Sequence, residues 1–159
     1  MTIRTVLDES ALLKYANLDD AAAVGEYLML VNEENSAIGE DPDDVEAYSV
    51  ITQVGVPTSA FVAAYGQTDS LGRNLLAEFV VDLALAEQLG DPERSALVLL
   101  PLSSAHDLLE AGDLETRFPG QGEAMLHAMR HNAALATFNP PKKPVPGVTI
   151  ADLSMSWDD

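Results

Sequence analysis

Short apolar stretches alternate along the chain with longer segments in which apolar residues recur at helical spacing. The short stretches predict strands at 3–8, 49–56, 96–102 and 133–138. The longer segments predict helices at 10–16, 21–35, 57–65, 74–88, 105–114 and 120–132. Strand and helix thus alternate, which predicts an α/β fold in three layers, α/β/α, with a mainly parallel central sheet. In such sheets ligands bind beyond the carboxyl ends of the strands.

Two segments lie outside this alternation. Residues 33–48 hold seven carboxylates and are broken by Gly39 and Pro42, which predicts a solvated loop, with docking of a basic partner as the alternative. Residues 1–141 are predicted to form the main domain, and the proline-containing tail 142–159 is predicted to add an edge strand. Trp157 in this tail either folds back on the domain or anchors a partner.

The charge of the chain is strongly one-sided. Twenty-six Asp and Glu stand against 8 Lys and Arg, a formal net charge of −18. Nucleic-acid binders use clustered cations to neutralise phosphates, and the only adjacent pair here is Lys142 and Lys143. The balance argues against nucleic acid as a partner and favours simple solubility, with a high-salt setting or a basic protein partner as the alternatives.

The cysteine content and the lengths of the apolar stretches exclude several further classes of protein. The chain has no cysteine, so it forms neither a disulfide nor a thiolate metal site. No apolar stretch approaches the roughly 18 residues that a membrane span needs, and residues 1–10 do not read as a signal peptide. The expectation is a cytoplasmic protein with no membrane partner.

Four stretches occur in an order that is similar to one protein family. They are VLDESALL at 6–13, GVPTSAFVAAYG at 55–66, ALVLLPLSSAHDLLEAG at 96–112 and GEAMLHAMRHNAALATFNP at 122–140. Together they resemble the strand and helix stations of PIN-domain ribonucleases, over residues 3–141. The resemblance implies a PIN-like fold and common formation of homodimers. It also implies, for toxins of this family, a small basic partner protein.

The resemblance further implies a metal site, which this chain has largely lost. PIN domains hold Mg²⁺ or Mn²⁺ with three or four carboxylates that activate water at a phosphodiester. The first acid is present as Asp8. The other three positions fall at Ala63, at Gln121 (or a neighbouring glycine if the match shifts by one residue) and at Asn139. The main hypothesis is therefore a catalytically degenerate PIN-like domain, without a cofactor, that acts as a protein-interaction or regulatory module.

Two other functions remain open. A metal-dependent endoribonuclease can have a rearranged Mg²⁺ or Mn²⁺ site built from Asp8, Glu123 and a nearby acid such as Asp69. Alternatively, the chain is a different doubly wound domain, in which an acid at the end of the first strand is coincidental. Asp8 with Glu9 can also bind one cation weakly, whereas Ser10 lacks a placed histidine for a hydrolase triad.

A last candidate is a row of side chains on the final helix. Glu123, His127 and His131 recur at i, i+4 and i+8 and so share one face. Such a row can chelate zinc, but the same spacing is also typical of a solvated or partly packed face.

Overall fold

The structure is a computed structural model that describes residues 2–18, 52–88, 90 and 97–155. The predicted helix 21–35, the acidic loop 33–48 and Trp157 lie outside the described residues. None of the helices in the described part is long and apolar enough to cross a membrane.

The described residues form a five-stranded parallel sheet with helices on both faces. The strands are β1 (Thr2–Leu7), β2 (Thr52–Pro57), β3 (Leu97–Leu100), β4 (Ala134–Thr137) and β5 (Thr149–Asp152). The helices are α1 (Glu9–Ala16), α2 (Thr58–Gln67), α3 (Ser70–Gln88), α4 (Ala105–Arg117) and α5 (Gly122–His131). The sheet order is β3-β2-β1-β4-β5, and every neighbouring pair is parallel. The predicted three-layer α/β/α fold with a parallel sheet is confirmed.

Alternate residues of the central strand supply two separate cores. Val6 and Leu7 are both fully buried, yet they belong to different clusters, because successive strand side chains point to opposite faces of the sheet. Leu7 packs with residues of α1, α2 and α3. Val6 packs with residues of α4 and α5, including Met125. The β-branched segment 3–8 that predicted β1 suits a strand whose side chains pack on both faces of the sheet.

The third helix begins earlier than its apolar pattern predicts. The sequence predicts a break at 66–72, but only Thr68 and Asp69 separate α2 from α3. Asp69 Oδ1 accepts a hydrogen bond from the backbone N of Gly72 at 2.9 Å. This cap satisfies a backbone donor that the first turn of a helix otherwise leaves without a partner, so α3 starts at Ser70.

Close packing of α4 against α5 depends on Gly122. A Cβ placed on this residue would lie 2.5 Å from the carbonyl oxygen of Ala111 and 2.6 Å from the backbone N of Glu115. Both atoms belong to the backbone of α4, so neither can rotate away as a side chain would. The glycine therefore lets the start of α5 touch α4 directly, and this contact sets the position of the residue before it, Gln121.

The start of α4 offers a direct test of helix capping. Ser104 Oγ accepts a hydrogen bond from the backbone N of Asp107 at 3.1 Å. We expect Ser104→Ala to lower the free energy of unfolding by about 1 kcal/mol, which is about 2–4 °C in Tm. Thermal unfolding measures the change. Ser103 is exposed and precedes the cap, so Ser103→Ala is the matched control; equal losses in both variants would contradict this capping role.

Candidate functional site

The strand order of the sheet reverses at β1, and the reversal forms a crevice between the loops that follow β1 and β4. The chain passes from β1 to β2 on one side of β1, whereas β4 lies on its other side. This reversal separates the loops at the carboxyl ends of β1 and β4, which is where ligands bind in doubly wound folds. Asp8 follows β1 directly, and Phe138 and Asn139 follow β4.

Asp8 is buried at this point and is surrounded by hydrogen-bond donors. Its side chain is 1% exposed. Oδ1 accepts hydrogen bonds from the Ser10 hydroxyl at 2.6 Å and from the backbone N of Ala11 at 3.0 Å, which makes Asp8 the N-cap of α1. Oδ2 accepts a hydrogen bond from Gln121 Nε2 at 3.1 Å. Both carboxylate oxygens thus have partners, and all three donors are uncharged.

Gln121 joins Asp8 to the end of β4. Besides Asp8, its Nε2 reaches Thr137 Oγ1 at 2.9 Å and the carbonyl oxygen of Asn139 at 2.8 Å. The Ser10 and Thr137 hydroxyls lie 3.2 Å apart. Ser10 Oγ also accepts from the backbone N of Phe138 at 3.0 Å. Asp8, Ser10, Gln121 and Thr137 form one connected set, here called the Asp8 network.

The donor set of the Asp8 network does not fit a Mg²⁺ or Mn²⁺ ion. These cations need oxygen ligands and favour several carboxylates. Gln121 turns its amide nitrogen toward three oxygen acceptors, an orientation in which it competes with a cation for Oδ2 of Asp8. Within the described residues, no group of three or more His, Cys, Asp or Glu side chains is placed to hold a metal ion.

The two other positions at which the resemblance implies an acid, Asn139 and Ala63, lie on either side of the network. Asn139 takes part through its backbone, since its N donates to Thr137 Oγ1 at 2.9 Å. Ala63, on α2, lines a neighbouring cavity of about 360 Å³. Three glutamates border the same cavity: Glu9, Glu115 and Glu123.

Each of the three glutamates has partners of its own. Glu123 accepts a hydrogen bond from the Ser59 hydroxyl, and its Oε1 lies 3.3 Å from His127 Nε2. Glu9 accepts from the side-chain amide of Gln67. Glu115 accepts from the backbone N of Gly120 at 2.6 Å and of Gly122 at 2.8 Å. These contacts connect α1, α2, α4 and α5 and hold the carboxylates at the wall of the cavity.

The two acids predicted to join Asp8 have other partners. Glu123 contacts α2 and its own helix, and Asp69 caps α3. Within the described part of the chain, neither one belongs with Asp8 to a group of three side chains that could hold a metal ion. Glu9 follows Asp8 in sequence but bonds to Gln67, on α2.

The predicted histidine face is partly packed. His127 is 8% exposed and neighbours Glu123, whereas His131 is exposed, with the two imidazole ring centroids 6.5 Å apart. Partial burial lowers the pKa of His131, and the nearby His127 lowers it further.

Three residues of the site have no clear local signal in the sequence. Ser10 and Thr137 supply hydroxyls to the Asp8 network, and Glu115 fixes the turn before α5. Only the position of Thr137 at the end of a predicted strand points to it. Glu115 lies seven residues before the glycine to which it bonds, so no periodicity identifies it.

Comparisons of this chain with protein-family models, with curated proteins and with solved structures found no match. The family resemblance of the sequence stays a prediction, and the functional argument depends on the geometry of the site.

Proposed function

We propose that this chain is a catalytically degenerate PIN-like domain that acts as a protein-interaction or regulatory module. The observation that carries the proposal is the hydrogen bond from Gln121 to Asp8. It places an uncharged donor, Gln121, at the position where the resemblance implies the third metal-binding carboxylate. Asp8 then serves as a buried cap and crosslink of the fold rather than as a metal ligand.

The charge of the chain supports a protein partner over a nucleic acid. A net charge of −18 repels phosphates and steers a basic surface toward the domain. Exposed apolar side chains on α3 support contact with another chain: Leu71, Val81 and Leu85 are 57%, 64% and 55% exposed, and the last two are one turn apart. A basic partner protein is therefore the occupant that we propose; self-association stays a prediction.

The alternative function is a metal-dependent ribonuclease with a rearranged carboxylate site. The observation in its favour is the cavity bordered by Glu9, Glu115 and Glu123, next to the Asp8 network. The hydrogen bonds that hold these side chains to Gln67, Ser59 and two backbone donors argue for a structural role. The two functions therefore differ in one measurable property, the binding of Mn²⁺.

Thermal unfolding with and without a few millimolar Mn²⁺ separates the two functions. We expect no Mn²⁺-dependent rise in Tm that requires Asp8, because its oxygens are occupied by neutral donors. At a Mn²⁺ concentration a hundredfold above Kd, binding would raise the free energy of unfolding by about 2.7 kcal/mol. The corresponding rise in Tm is on the order of 5–10 °C. Wild type and Asp8→Asn are measured in parallel at fixed ionic strength.

Asp8→Asn is the right comparison because one amide oxygen can still cap α1 while the negative charge is removed. A rise of several degrees in wild type that disappears in Asp8→Asn would contradict the proposal and favour the ribonuclease. Cleavage of single-stranded RNA by wild type, but not by Asp8→Asn, would do the same.

A further inference from the structure

A second cavity lies beside the Asp8 network, at the carboxyl end of β4. Its volume is about 490 Å³, within the range of small-molecule sites. Four prolines form part of its wall, together with Arg117, Phe118, Gln121, Asn139, Lys142 and Lys143. These six residues and the prolines are here called the basic cavity.

The basic cavity concentrates positive charge in a chain that has little of it. Arg117, Lys142 and Lys143 are three of the 8 Lys and Arg in the whole sequence. None of the lining residues carries a carboxylate. Within the described part of the chain, none of the three cations forms an ion pair, whereas Arg130 pairs with two acids. The cavity is therefore a local positive field on a negative protein.

The two acids of the candidate site that lie nearest, Asp8 and Glu115, do not line the basic cavity. Gln121 lines the cavity and lies between it and the hydrogen-bonded Asp8. Glu115 is bound by the backbone N atoms of Gly120 and Gly122 and borders the other cavity. Arg117 also lies over the ring of Phe118, with its guanidinium carbon 5.6 Å from the ring centroid, a cation–π contact that helps to orient it.

We propose that the basic cavity binds a small phosphomonoester, with one phosphate group carried on a sugar or a nucleoside. A phosphate carries a charge of about −1.5 to −2 at neutral pH, and an arginine fork matches its geometry. Two lysines add point charges beside it. Phe118 and the prolines offer apolar surface to the ring, and the exposed amide of Asn139 offers both a donor and an acceptor.

The same observations favour a small ligand over a polynucleotide. At physiological ionic strength the screening length is about 8 Å, so a single phosphate in the cavity mainly experiences the three cations around it. A polynucleotide would extend over a surface that belongs to a chain of net charge −18. Each further phosphate would add repulsion without a matching cation. This inference stands on the cavity alone and does not depend on the proposed interaction function.

Isothermal titration calorimetry of the full chain tests the site with three probes: adenosine monophosphate, ribose 5-phosphate and adenosine. We expect both phosphates to bind and adenosine not to bind. Arg117→Gln is expected to weaken phosphate binding by about tenfold or more, because it removes a charge-assisted contact. The double variant Lys142→Gln/Lys143→Gln is expected to give a second, independent loss of affinity, and both positions are exposed. Arg73→Gln, an exposed arginine on α3, makes the same charge change away from the cavity and is expected to leave the Kd within about twofold.

Several results would overturn the proposal. Absence of binding by both phosphates in the folded wild type would do so, as would equal affinity for adenosine and adenosine monophosphate. An equal loss of affinity in Arg73→Gln and Arg117→Gln would assign the effect to net charge instead of to the cavity. Tighter binding of a ten-residue oligoribonucleotide, with an affinity that rises with its length, would assign the surface to a polynucleotide.

Discussion

Gly122→Ala is expected to lower the free energy of unfolding by about 3 kcal/mol, at the upper end of the cost of overpacking. The added Cβ would come within 2.6 Å of two backbone atoms of α4, so the start of α5 must move away from α4. The movement would also stretch the two hydrogen bonds that Glu115 accepts in this turn. Urea denaturation measures the loss as a lower midpoint at an unchanged slope.

Gly112→Ala is the matched control for this variant. Gly112 lies inside α4, and apart from its chain neighbours and the nearby backbone of α4, no described atom lies within 4 Å of an added Cβ. Alanine there removes conformational freedom from the unfolded chain without a clash, so we expect a gain of about 0.5–1 kcal/mol. Opposite signs for the two glycines would confirm the close approach of α5 to α4. A neutral or stabilising Gly122→Ala would contradict this packing.

Asp8→Ala is expected to lower the free energy of unfolding by about 3 kcal/mol. The variant removes the N-cap of α1, a loss of about 1 kcal/mol. It also removes the 2.6 Å acceptor of the Ser10 hydroxyl and one of the three acceptors around Gln121 Nε2 in a buried site, at about 1–3 kcal/mol. Chemical denaturation at neutral pH measures the loss. Asp113, exposed on α4, provides the control, and Asp113→Ala is expected to change stability by less than about 0.5 kcal/mol.

A double-mutant cycle assigns part of that cost to the contact with Gln121. Gln121→Met keeps the length of the side chain but removes its donors. We expect the double variant Asp8→Ala/Gln121→Met to lose less than the sum of the two single losses, by about 1 kcal/mol or more, because the two side chains share a hydrogen bond. Additive losses would mean that Gln121 and Asp8 act independently, and the main support for a structural Asp8 would be gone.

The sequence alone predicted most of the strands and helices of the described residues. Elements whose apolar residues repeat in a regular way, such as β1 and α5, were predicted to within two residues of their ends. Asp8 was expected at the carboxyl end of the first strand, because that position depends only on the residues just before it. The start of α3 was missed because a cap by Asp69 extends the helix through residues that the sequence assigns to a break.

At the candidate site, the difference between what the sequence predicts and what the structure adds is larger. The family resemblance pointed to Ala63, Gln121 and Asn139, but the sequence did not show which side chains donate hydrogen bonds to Asp8. Gln121 meets Asp8 across a separation of 113 residues. That contact depends on the placement of β4 next to β1 and of α5 against α4, and neither is encoded in a local pattern.

Local chemistry thus accounts for the strands, the helices, the caps and the strong negative charge, because each arises from neighbouring residues or from composition. The tertiary structure alone decides the strand order, the approach of Gly122 to α4 and the Asp8 network. It also gathers Arg117 with Lys142 and Lys143 around one cavity. These features join residues far apart in the chain, and their geometry is set by the packing of both faces of the sheet, which no periodicity along the sequence specifies.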